Sequence, residues 1–542
     1  MIRITNFTMP VAEQLPLAAA AARYLRVPAG EVSEAVLVRQ TLDARRYHGA
    51  PLQFVSVVDV RLAGGDGKVL QRLRRDKHVA AAPKPEASVL QGLRPEDFAA
   101  PKQRPVVVGF GPAGMFAALC LAKAGMAPLV LERGQDVDAR QAAIERFWQG
   151  GELDANTNVQ FGEGGAGTFS DGKLTTRISD PRMADVLEAF IAAGAPPEIR
   201  YLHKPHIGTD LLRGIVKNIR QEIQRLGGEV RFGAPVTELE LSAGGVQAVI
   251  VAGSDRIPAD TVLLGIGHSA RDTYAMLYAH GVRMEPKAFA AGVRIEHPQE
   301  MIDRAQYGSD AGNPRLPAAD YALTFKDRVT GRGAYSFCMC PGGQVVAAAS
   351  EPERLVTNGM SLYARASGVA NAALLVNVVP ADFGGDVLGG MAFQREYEAL
   401  AFRTAGSSWQ APVQTVGDFL HGTQGSREFL VQPTYRPGVR AADLHSCLPG
   451  FITRTLADAL PYFDSRLHGF ADPGAPMTGV EMRSSAPCRI CRERESFVSV
   501  STPGLYPMGE GAGYAGGIMS AAVDGLNTAL AFLAKIRHTS KQ

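Results

Sequence analysis

The sequence predicts an α/β protein whose central unit is a parallel sheet carrying a nucleotide-binding turn. A short apolar strand, Val106–Val108, runs into Gly109-Phe110-Gly111-Pro112-Ala113-Gly114, and an Ala-rich apolar helix follows. A second apolar strand, Pro128–Leu131, ends on Glu132 and Arg133. A strand, a G-x-G-x-x-G turn, a helix and a strand ending on an acid, in this order, form the Rossmann-type dinucleotide-binding pattern.

Each part of this pattern has a physical role in holding a dinucleotide. The glycines permit a tight turn and close backbone approach to the pyrophosphate, and the N-terminus of the following helix favours its negative charge. Glu132 is placed to accept a ribose hydroxyl of the adenosine half. The cofactor contacts predicted here are Gly109, Gly111, Pro112, Ala113, Gly114, Glu132 and Arg133.

Composition indicates a large enzyme without a strongly charged partner. The chain has 542 residues, which favours two or three domains, and 56 Lys plus Arg against 54 Asp plus Glu. This balance gives no support for DNA binding. Because we find no apolar run of membrane-spanning length, no secretory signal and only six cysteines, we expect a cytoplasmic protein that does not bind membranes.

A second glycine-rich turn lies near the C-terminus and leads into a long apolar helix. It resembles the closing FAD motif of the glutathione-reductase-like flavoproteins, with Glu510 where those proteins usually have Asp. A nicotinamide-only Rossmann enzyme does not need this motif, so we predict non-covalent FAD, with NAD(P)H as a possible transient electron donor. The contacts predicted here are Gly509, Glu510, Gly511, Gly516, Gly517 and Ile518.

The stretch from Asn158 to Leu174 is the third informative segment. Its position after the first βαβ unit matches the loop that runs under the isoalloxazine ring in glutathione-reductase-like proteins. Ser170, Asp171 and Lys173 are candidates for hydrogen bonding near flavin N5 or the N1/O2 edge, and Lys173 and Ser170 are the predicted catalytic residues. A lysine near N1 would stabilise the reduced flavin through its charge. The alternative is a structural glycine loop with solvated polar tips. Predicted cofactor contacts in this loop are Gly165, Ala166, Gly167 and Thr168.

Two further segments complete the predicted cofactor site. Val236 follows a short strand where such folds present backbone to the adenine, and Gly265 and Gly267 follow the strand ending at Leu264. His268 is either a proton donor or a structural histidine at a strand end. The Asp-Gly pair of flavin aromatic hydroxylases is missing from this segment, which argues against a hydroxylase.

Four cysteines form two close pairs, Cys338/Cys340 and Cys488/Cys491. C-x-C on a strand is expected to place both sulfurs on one face, which leaves a thiol beside the flavin possible for the first pair. A four-thiolate metal site is conceivable, but buried apolar thiols are the favoured interpretation, so no metal is predicted.

The pattern divides the chain into five segments. We predict a small α+β, ferredoxin-like module at 1–79, with a helix over Val11–Leu25, and a proline-rich linker at 80–103. The FAD-binding domain follows at 104–280 and resumes at 478–542, with an inserted α+β substrate domain at 281–477 between them. RNA binding by the mildly basic module is conceivable, but a solvated basic face is the favoured interpretation.

Together these stretches resemble a bacterial family known only as uncharacterised FAD-dependent dehydrogenases. The resemblance covers nearly the whole chain and is most specific in four blocks: Phe161–Leu174, Gly265–Thr273, Ser336–Gly343 and Glu481–Pro487. It implies one FAD, an inserted substrate domain and a cytoplasmic location, but no substrate.

The predicted function is therefore that of an FAD-dependent oxidoreductase that transfers a hydride at flavin N5 to or from a small molecule. Three alternatives stay open: a flavin monooxygenase, a flavin-dependent RNA-modifying or RNA-binding protein, and a flavin-bound assembly factor without turnover. The substrate, the oligomeric state and the role of the N-terminal module are not predicted.

Overall fold

The computed structural model describes residues 1–45, 51–84 and 86–538. Residues 46–50 of the predicted module, residue 85 of the predicted linker and residues 539–542 of the predicted C-terminal segment lie outside the described residues. The fold is mixed α/β, which confirms the predicted class.

The centre of the nucleotide-binding part is a five-stranded parallel sheet with the predicted Val106–Val108 strand in its middle. Its spatial order is Leu505–Pro507, Val262–Leu264, Val106–Val108, Leu129–Leu131 and Glu229–Arg231. All five strands are short, and all are fully buried except the last, which lies at the edge. The C-terminal strand and the strand before Gly265 therefore join the first βαβ unit in one sheet. A three-stranded antiparallel sheet is formed by Val236–Ser242, Gly245–Val251 and Asp255–Pro258.

Two apolar helices, Pro112–Lys123 and Ile518–Ile536, pack closely against each other beside this sheet. Gly525 makes this possible, because a Cβ atom at this position would lie 2.0 Å from the Ala113 carbonyl oxygen. Both helices are apolar on nearly all faces, as expected for helices buried on several sides. The N-termini of both helices consequently meet at one place.

The second large unit is a seven-stranded sheet in the region predicted as the inserted domain. Its spatial order is Thr324–Lys326, Gly333–Cys340, Val369–Val378, Phe289–Pro298, Pro476–Glu481, Ala411–Thr415 and Val439–Ala441. The predicted division at 477/478 falls inside Pro476–Glu481, because this segment continues as a buried strand paired with Phe289–Pro298. Two strand pairs lie beside it, Met284–Pro286 with Cys488–Ile490 and Gly343–Ala347 with Thr357–Ser361.

The N-terminal residues form a separate antiparallel sheet with spatial order Val32–Asp43, Gln53–Leu62, Ile2–Pro10 and Val79–Ala81. The helix predicted over Val11–Leu25 begins only at Leu17, after Pro16, because proline favours the first turn of a helix over its interior. The predicted linker start at residue 80 lies inside the strand Val79–Ala81, and the linker also contains a short helix, Val89–Gly92.

The remaining helices lie between these strands in the chain. They are Gly67–Arg72, Val137–Trp148, Met183–Ala192, Thr209–Arg225, Arg271–Ala279, Gln299–Tyr307, Gly389–Thr404, Val416–His421 and Gly450–Arg466. Within 1–45, 51–84 and 86–538, no helix combines the length and apolar character that crossing a membrane requires.

Candidate functional site

A large cavity of about 1040 Å³ lies at the carboxyl ends of the parallel strands. Gly109, Glu132 and Gly265, each directly following one of these strands, all line it. The carboxyl edge of an open parallel sheet is where such folds bind nucleotides. The cavity also reaches the seven-stranded sheet, since Ser336 and Cys338 line it, and Asn358 of the neighbouring strand pair lines it as well.

Most of the predicted cofactor contacts line this cavity: Gly109, Gly111, Pro112, Ala113, Glu132, Arg133, Gly165, Ala166, Gly167, Val236, Gly265, Gly267, Glu510, Gly516, Gly517 and Ile518. The lining does not include Gly114, Thr168, Gly509 or Gly511. These four have packing or hydrogen-bonding contacts instead; for example, a Cβ atom at Gly114 would lie 1.9 Å from the Gly109 carbonyl oxygen.

Three glycine segments converge to form a narrow cradle at the helix N-termini. A Cβ atom at Gly165 would lie 2.9 Å from the Gly111 Cα atom, and one at Gly167 would lie 2.8 Å from the Ile518 side chain. At Gly111, by contrast, a Cβ atom would have only an ordinary contact, 3.7 Å from Gly165. Backbone amides and two helix N-termini therefore form this part of the wall, which suits the pyrophosphate of a dinucleotide.

Glu132 has a structural role that the sequence pattern did not reveal. Its carboxylate accepts hydrogen bonds from the backbone amides of Phe110 at 2.7 Å, Gly134 at 3.0 Å and Gly162 at 2.9 Å. It therefore joins the nucleotide turn to the glycine loop while still lining the cavity. The predicted ribose contact stays a prediction.

The loop that contains the predicted catalytic residues is fastened to the seven-stranded sheet region. Lys173 donates through Nζ to the Met339 carbonyl oxygen, and Asp171 accepts hydrogen bonds from Ser361 and from Arg365, the latter at 2.5 and 3.1 Å. Ser170 donates to the Gly167 carbonyl oxygen at 2.7 Å, so its hydroxyl shapes the loop. Lys173, Ser170 and Asp171 all line the cavity.

His268 lines the cavity next to a buried cluster of charged side chains. Its Nδ1 atom lies 2.9 Å from the Ser269 hydroxyl. Burial, reinforced by the charges of Arg483 and Arg271, lowers the pKa of His268 to about 3. The imidazole is consequently neutral near pH 7. It therefore lacks the second ring proton that a histidine of ordinary pKa can donate as an acid.

The charged cluster beside His268 was not predicted from the sequence. Glu398 is fully buried between Arg271 and Arg483, and its two oxygens accept four hydrogen bonds of 2.6–2.9 Å from these guanidinium groups. Arg271 also reaches Glu351 at 2.6 Å, and Arg483 reaches the Ser350 hydroxyl at 2.5 Å. Arg483 is the member of this cluster that lines the cavity.

The Cys338/Cys340 pair does not follow the predicted alternation of a regular strand. The pairing register shifts between Phe337 and Cys340, and Cys338 adopts a positive φ of 41°. Arg294 Nη2 donates to the Cys338 carbonyl oxygen at 2.7 Å. Cys338 is exposed and Cys340 is buried, although both line the cavity, and the bulge breaks the regular alternation that the expectation of two sulfurs on one face requires.

The second cysteine pair lies at the strand Cys488–Ile490. Cys488 is buried within the strand, and Cys491 is half-buried directly after it. Within the described part of the chain, no three His, Cys, Asp or Glu residues are grouped so that they could hold a metal ion.

Replacing Cys338 and Cys340 together by serine is expected to leave the visible spectrum of the bound flavin nearly unchanged. Desolvation by the surrounding protein raises the pKa of Cys338 to about 12, and burial also raises the pKa of Cys340. Both are therefore thiols between about pH 7 and 9 and give no thiolate charge transfer. Absorbance spectra of both proteins across this pH range check the prediction. A long-wavelength band present in the native protein and absent from the double variant would contradict it.

The strand-end cavity and the glycine cradle define a dinucleotide-binding flavoprotein. Residues 288–484 match the family described as "FAD-dependent protein, C-terminal domain-like". A protein of Clostridium beijerinckii, described as uncharacterised, is 47% identical over 530 residues, covering 97% of this chain and 98% of that protein. The chain therefore belongs to this FAD-dependent protein family, and FAD is its cofactor.

The solved structures that match this chain do so at low identity and low TM-score. Glycine oxidase from Bacillus cereus is 9% identical with a TM-score of 0.31, covering 81% of this chain and 99% of that one. L-proline dehydrogenase from P. horikoshii is 9% identical with a TM-score of 0.34, covering 82% and 96%. The halogenase PltM in complex with phloroglucinol and FAD is 10% identical with a TM-score of 0.39, covering 80% and 69%.

Proposed function

We propose that the protein is an FAD-dependent oxidoreductase that transfers a hydride between a small-molecule substrate and flavin N5. The observation that carries this proposal is the continuity of the cavity, which joins the glycine cradle to the seven-stranded sheet. Hydride transfer requires the reacting carbon to lie in contact with the flavin, at about 3–3.5 Å. A single cavity that holds both molecules meets this requirement.

The chain's own residues would hold FAD without a covalent bond. Gly111, Gly165 and the amides at Gly517 and Ile518 would surround the pyrophosphate and ring, and Glu132 would accept the ribose hydroxyl. Burial raises the pKa of Glu510 to about 7, and the charge of Lys287, which acts to lower this pKa, offsets only part of the effect. A carboxyl group that titrates near neutrality can both donate and accept, which suits a hydroxyl of the ribityl chain.

On the substrate side, the loop Gly162–Lys173 and the seven-stranded sheet would enclose the reacting group. FAD would supply the hydride-transfer chemistry, and Lys173, held in place by the Met339 carbonyl oxygen, would supply a positive charge beside it. We further propose a glutathione-reductase-like FAD domain with an inserted substrate domain. The N-terminal βαββαβ order of elements and antiparallel sheet support the ferredoxin-like assignment.

The experiment that tests the proposed reaction type is anaerobic reduction of the purified FAD-loaded protein. NADH, NADPH and a panel of hydroxy acids, amino acids and alcohols are each added, and bleaching of the flavin absorbance is followed. Stoichiometric bleaching by a metabolite, or by NAD(P)H followed by reoxidation with a metabolite, supports the proposal. Oxidation of NAD(P)H that requires both an aromatic substrate and oxygen would favour a monooxygenase instead.

Replacing Lys173 by methionine is expected to keep FAD bound but to lower its midpoint potential by about 30 mV, equivalent to about 1.4 kcal/mol for two electrons. The reason is that the ammonium group stabilises the negative charge of the reduced cofactor. Dye-coupled spectrophotometric titration measures the potential. Lys217→Met is a matched control, because Lys217 pairs with Asp138 on the surface and does not line the cavity. If both variants had the same flavin midpoint potential as the native protein, Lys173 would not act on the flavin ring.

A further inference from the structure

The N-terminal sheet has one face that is not covered by its own helices. Its buried core, which includes Ile2, Ile4, Val58 and Val60, lies on one side. Because neighbouring residues of a strand point to opposite faces, Arg3 and Val57 belong to the other side. Arg3, Val38, Arg39 and Val57 all line the same cavity as the glycine cradle. This open face therefore forms a wall of the cavity.

Contacts on two sides hold this wall in place. The Gln40 amide donates to the Tyr201 carbonyl oxygen at 2.7 Å, and the His203 amide donates to the Gln40 carbonyl oxygen at 2.9 Å. On the other side, Arg315 donates to the Val11 carbonyl oxygen at 2.6 Å. Val11 and Leu52 also pack into the core cluster of the seven-stranded sheet region. The N-terminal module therefore contacts the rest of the chain on two sides of the cavity, and not only through its linker.

Arg39 differs from one other cation of this wall, Arg3, and from two cations of the neighbouring segment that also line the cavity, Arg200 and Lys204. Arg3 is paired with Asp59, Arg200 with Glu188 and Lys204 with Asp320. Among the described residues, no carboxylate lies within salt-bridge distance of Arg39.

The contact that Arg39 does have leaves its charge available. Its Nη2 atom lies 3.0 Å from His203 Nδ1. Burial, with the charges of Arg39 and Lys204, lowers the pKa of His203, so the imidazole is neutral and accepts this hydrogen bond. The wall therefore presents a guanidinium that no described carboxylate neutralises, next to the apolar side chains of Val38 and Val57.

We propose that this wall is a substrate-recognition site, in which Val38 and Val57 contact an apolar part of the substrate and Arg39 binds its anionic end group. This inference rests on the proposed function, because it names the class of substrate that the same cavity takes: an amphipathic molecule ending in a carboxylate or a phosphate. A guanidinium binds both groups through charge-assisted, often bidentate hydrogen bonds. His203 positions the guanidinium toward the cavity.

A pair of dyes that differ in charge tests this proposal on the FAD-loaded protein. The probes are 1-anilinonaphthalene-8-sulfonate, which is anionic, and N-phenyl-1-naphthylamine, which has the same ring body without the sulfonate. Equilibrium dialysis gives both dissociation constants without interference from flavin absorbance. We expect Arg39→Gln to raise the dissociation constant of the sulfonate dye about tenfold and to leave that of the neutral dye unchanged. Arg39→Lys should keep most of the affinity for the sulfonate dye that Arg39→Gln loses.

Two further variants separate the apolar contact from general effects. Val57→Asp is expected to weaken the binding of both dyes, since it adds a negative charge to the apolar part of the wall. Arg61→Gln is the matched control, because Arg61 is an exposed arginine on the same strand as Val57, pairs with Glu34 and does not line the cavity. Competition by hexanoate or by hexyl phosphate against the sulfonate dye distinguishes a carboxylate from a phosphate as the preferred end group.

Two results would overturn the proposal: equal sulfonate-dye affinity in native protein and Arg39→Gln, or no competition by either hexyl compound. Retention of FAD by each variant, measured from its absorbance, shows that the fold is intact. Because dye binding is measured without turnover, failure of this proposal is distinct from failure of the flavin to be reduced in the anaerobic experiment.

Discussion

Gly111→Val is expected to give a folded protein that retains much less FAD than the native protein. The backbone of Gly111 has φ −75°, which any residue can adopt, and a Cβ atom there would meet only the Gly165 Cα atom, at 3.7 Å. The protein alone therefore tolerates a side chain at this position. The two methyl groups of valine would instead enter the cavity, because Gly111 lines it at the N-terminus of the helix Pro112–Lys123.

The expected loss of affinity is between about 5-fold and about 150-fold. Overpacking of a tightly filled site costs about 1–3 kcal/mol, and each 1.4 kcal/mol is a factor of ten in the dissociation constant. The ratio of flavin absorbance to protein absorbance after gel filtration measures retention, and titration of the apoprotein with FAD gives the affinity. FAD released on denaturation also shows whether the cofactor is free FAD, as proposed, or a covalent adduct.

Two other glycine variants make the test specific. Gly214→Val is the matched control, since Gly214 lies in the helix Thr209–Arg225, has open space within 4 Å of where its Cβ atom would lie, and does not line the cavity. Gly114→Val should instead damage the fold itself, because its Cβ atom would lie 1.9 Å from the Gly109 carbonyl oxygen. If Gly111→Val purified as a yellow protein with native FAD content, the cradle would not be the pyrophosphate site.

The nucleotide-binding half of the site could be predicted because its signals are local. A buried strand, a glycine turn and a helix follow each other directly at Val106–Lys123, and the strand ends of a parallel sheet must meet at one edge. Gly265 and Glu510, far apart in the chain, were predicted to bind the cofactor because their segments resemble FAD motifs, and the parallel sheet brings them to one site. Each follows a strand of this sheet and lines the cavity.

The substrate half could not be predicted in the same way, because its geometry depends on contacts between distant segments. Asp171 meets Arg365 across 194 residues, and Glu398 meets Arg271 across 127. The strand bulge at Cys338 could not be recognised in the sequence, because its positive φ falls on a cysteine and not on a glycine or asparagine. The role of Arg39 in the wall likewise depends on docking of the N-terminal sheet, which composition does not reveal.

Glu398→Gln is expected to destabilise the protein by about 3–5 kcal/mol, the usual cost of removing one member of a buried ion pair. The side chain is fully buried and compensates Arg271 and Arg483, which are themselves almost inaccessible to solvent. Glutamine keeps the shape but removes the negative charge, so two buried guanidinium groups would be left facing each other. Unfolding of the FAD-loaded protein, followed by near-UV circular dichroism in urea, measures the loss.

Glu396→Gln is the matched control, because Glu396 is exposed on the same helix, Gly389–Thr404, two residues away. It should change stability by less than about 0.5 kcal/mol, as is usual for surface substitutions. Equal denaturation curves for the two variants would show that the cluster carries no net stabilisation. In that case the arginine that reaches the cavity, Arg483, would not depend on Glu398 for its position.

The same carboxylate gives the stability of the native protein a defined pH dependence. Burial disfavours ionisation of Glu398, but the charges of Arg271 and Arg483 outweigh it and lower its pKa from 4.5 to about 2. A group with a lowered folded-state pKa stabilises the protein above its unfolded pKa and loses this contribution as the pH falls toward the folded value. The native protein should therefore lose stability more steeply than Glu398→Gln between about pH 4.5 and pH 2, and the two curves should converge at the acid end. Parallel curves across this range would mean that folding does not lower the pKa of Glu398.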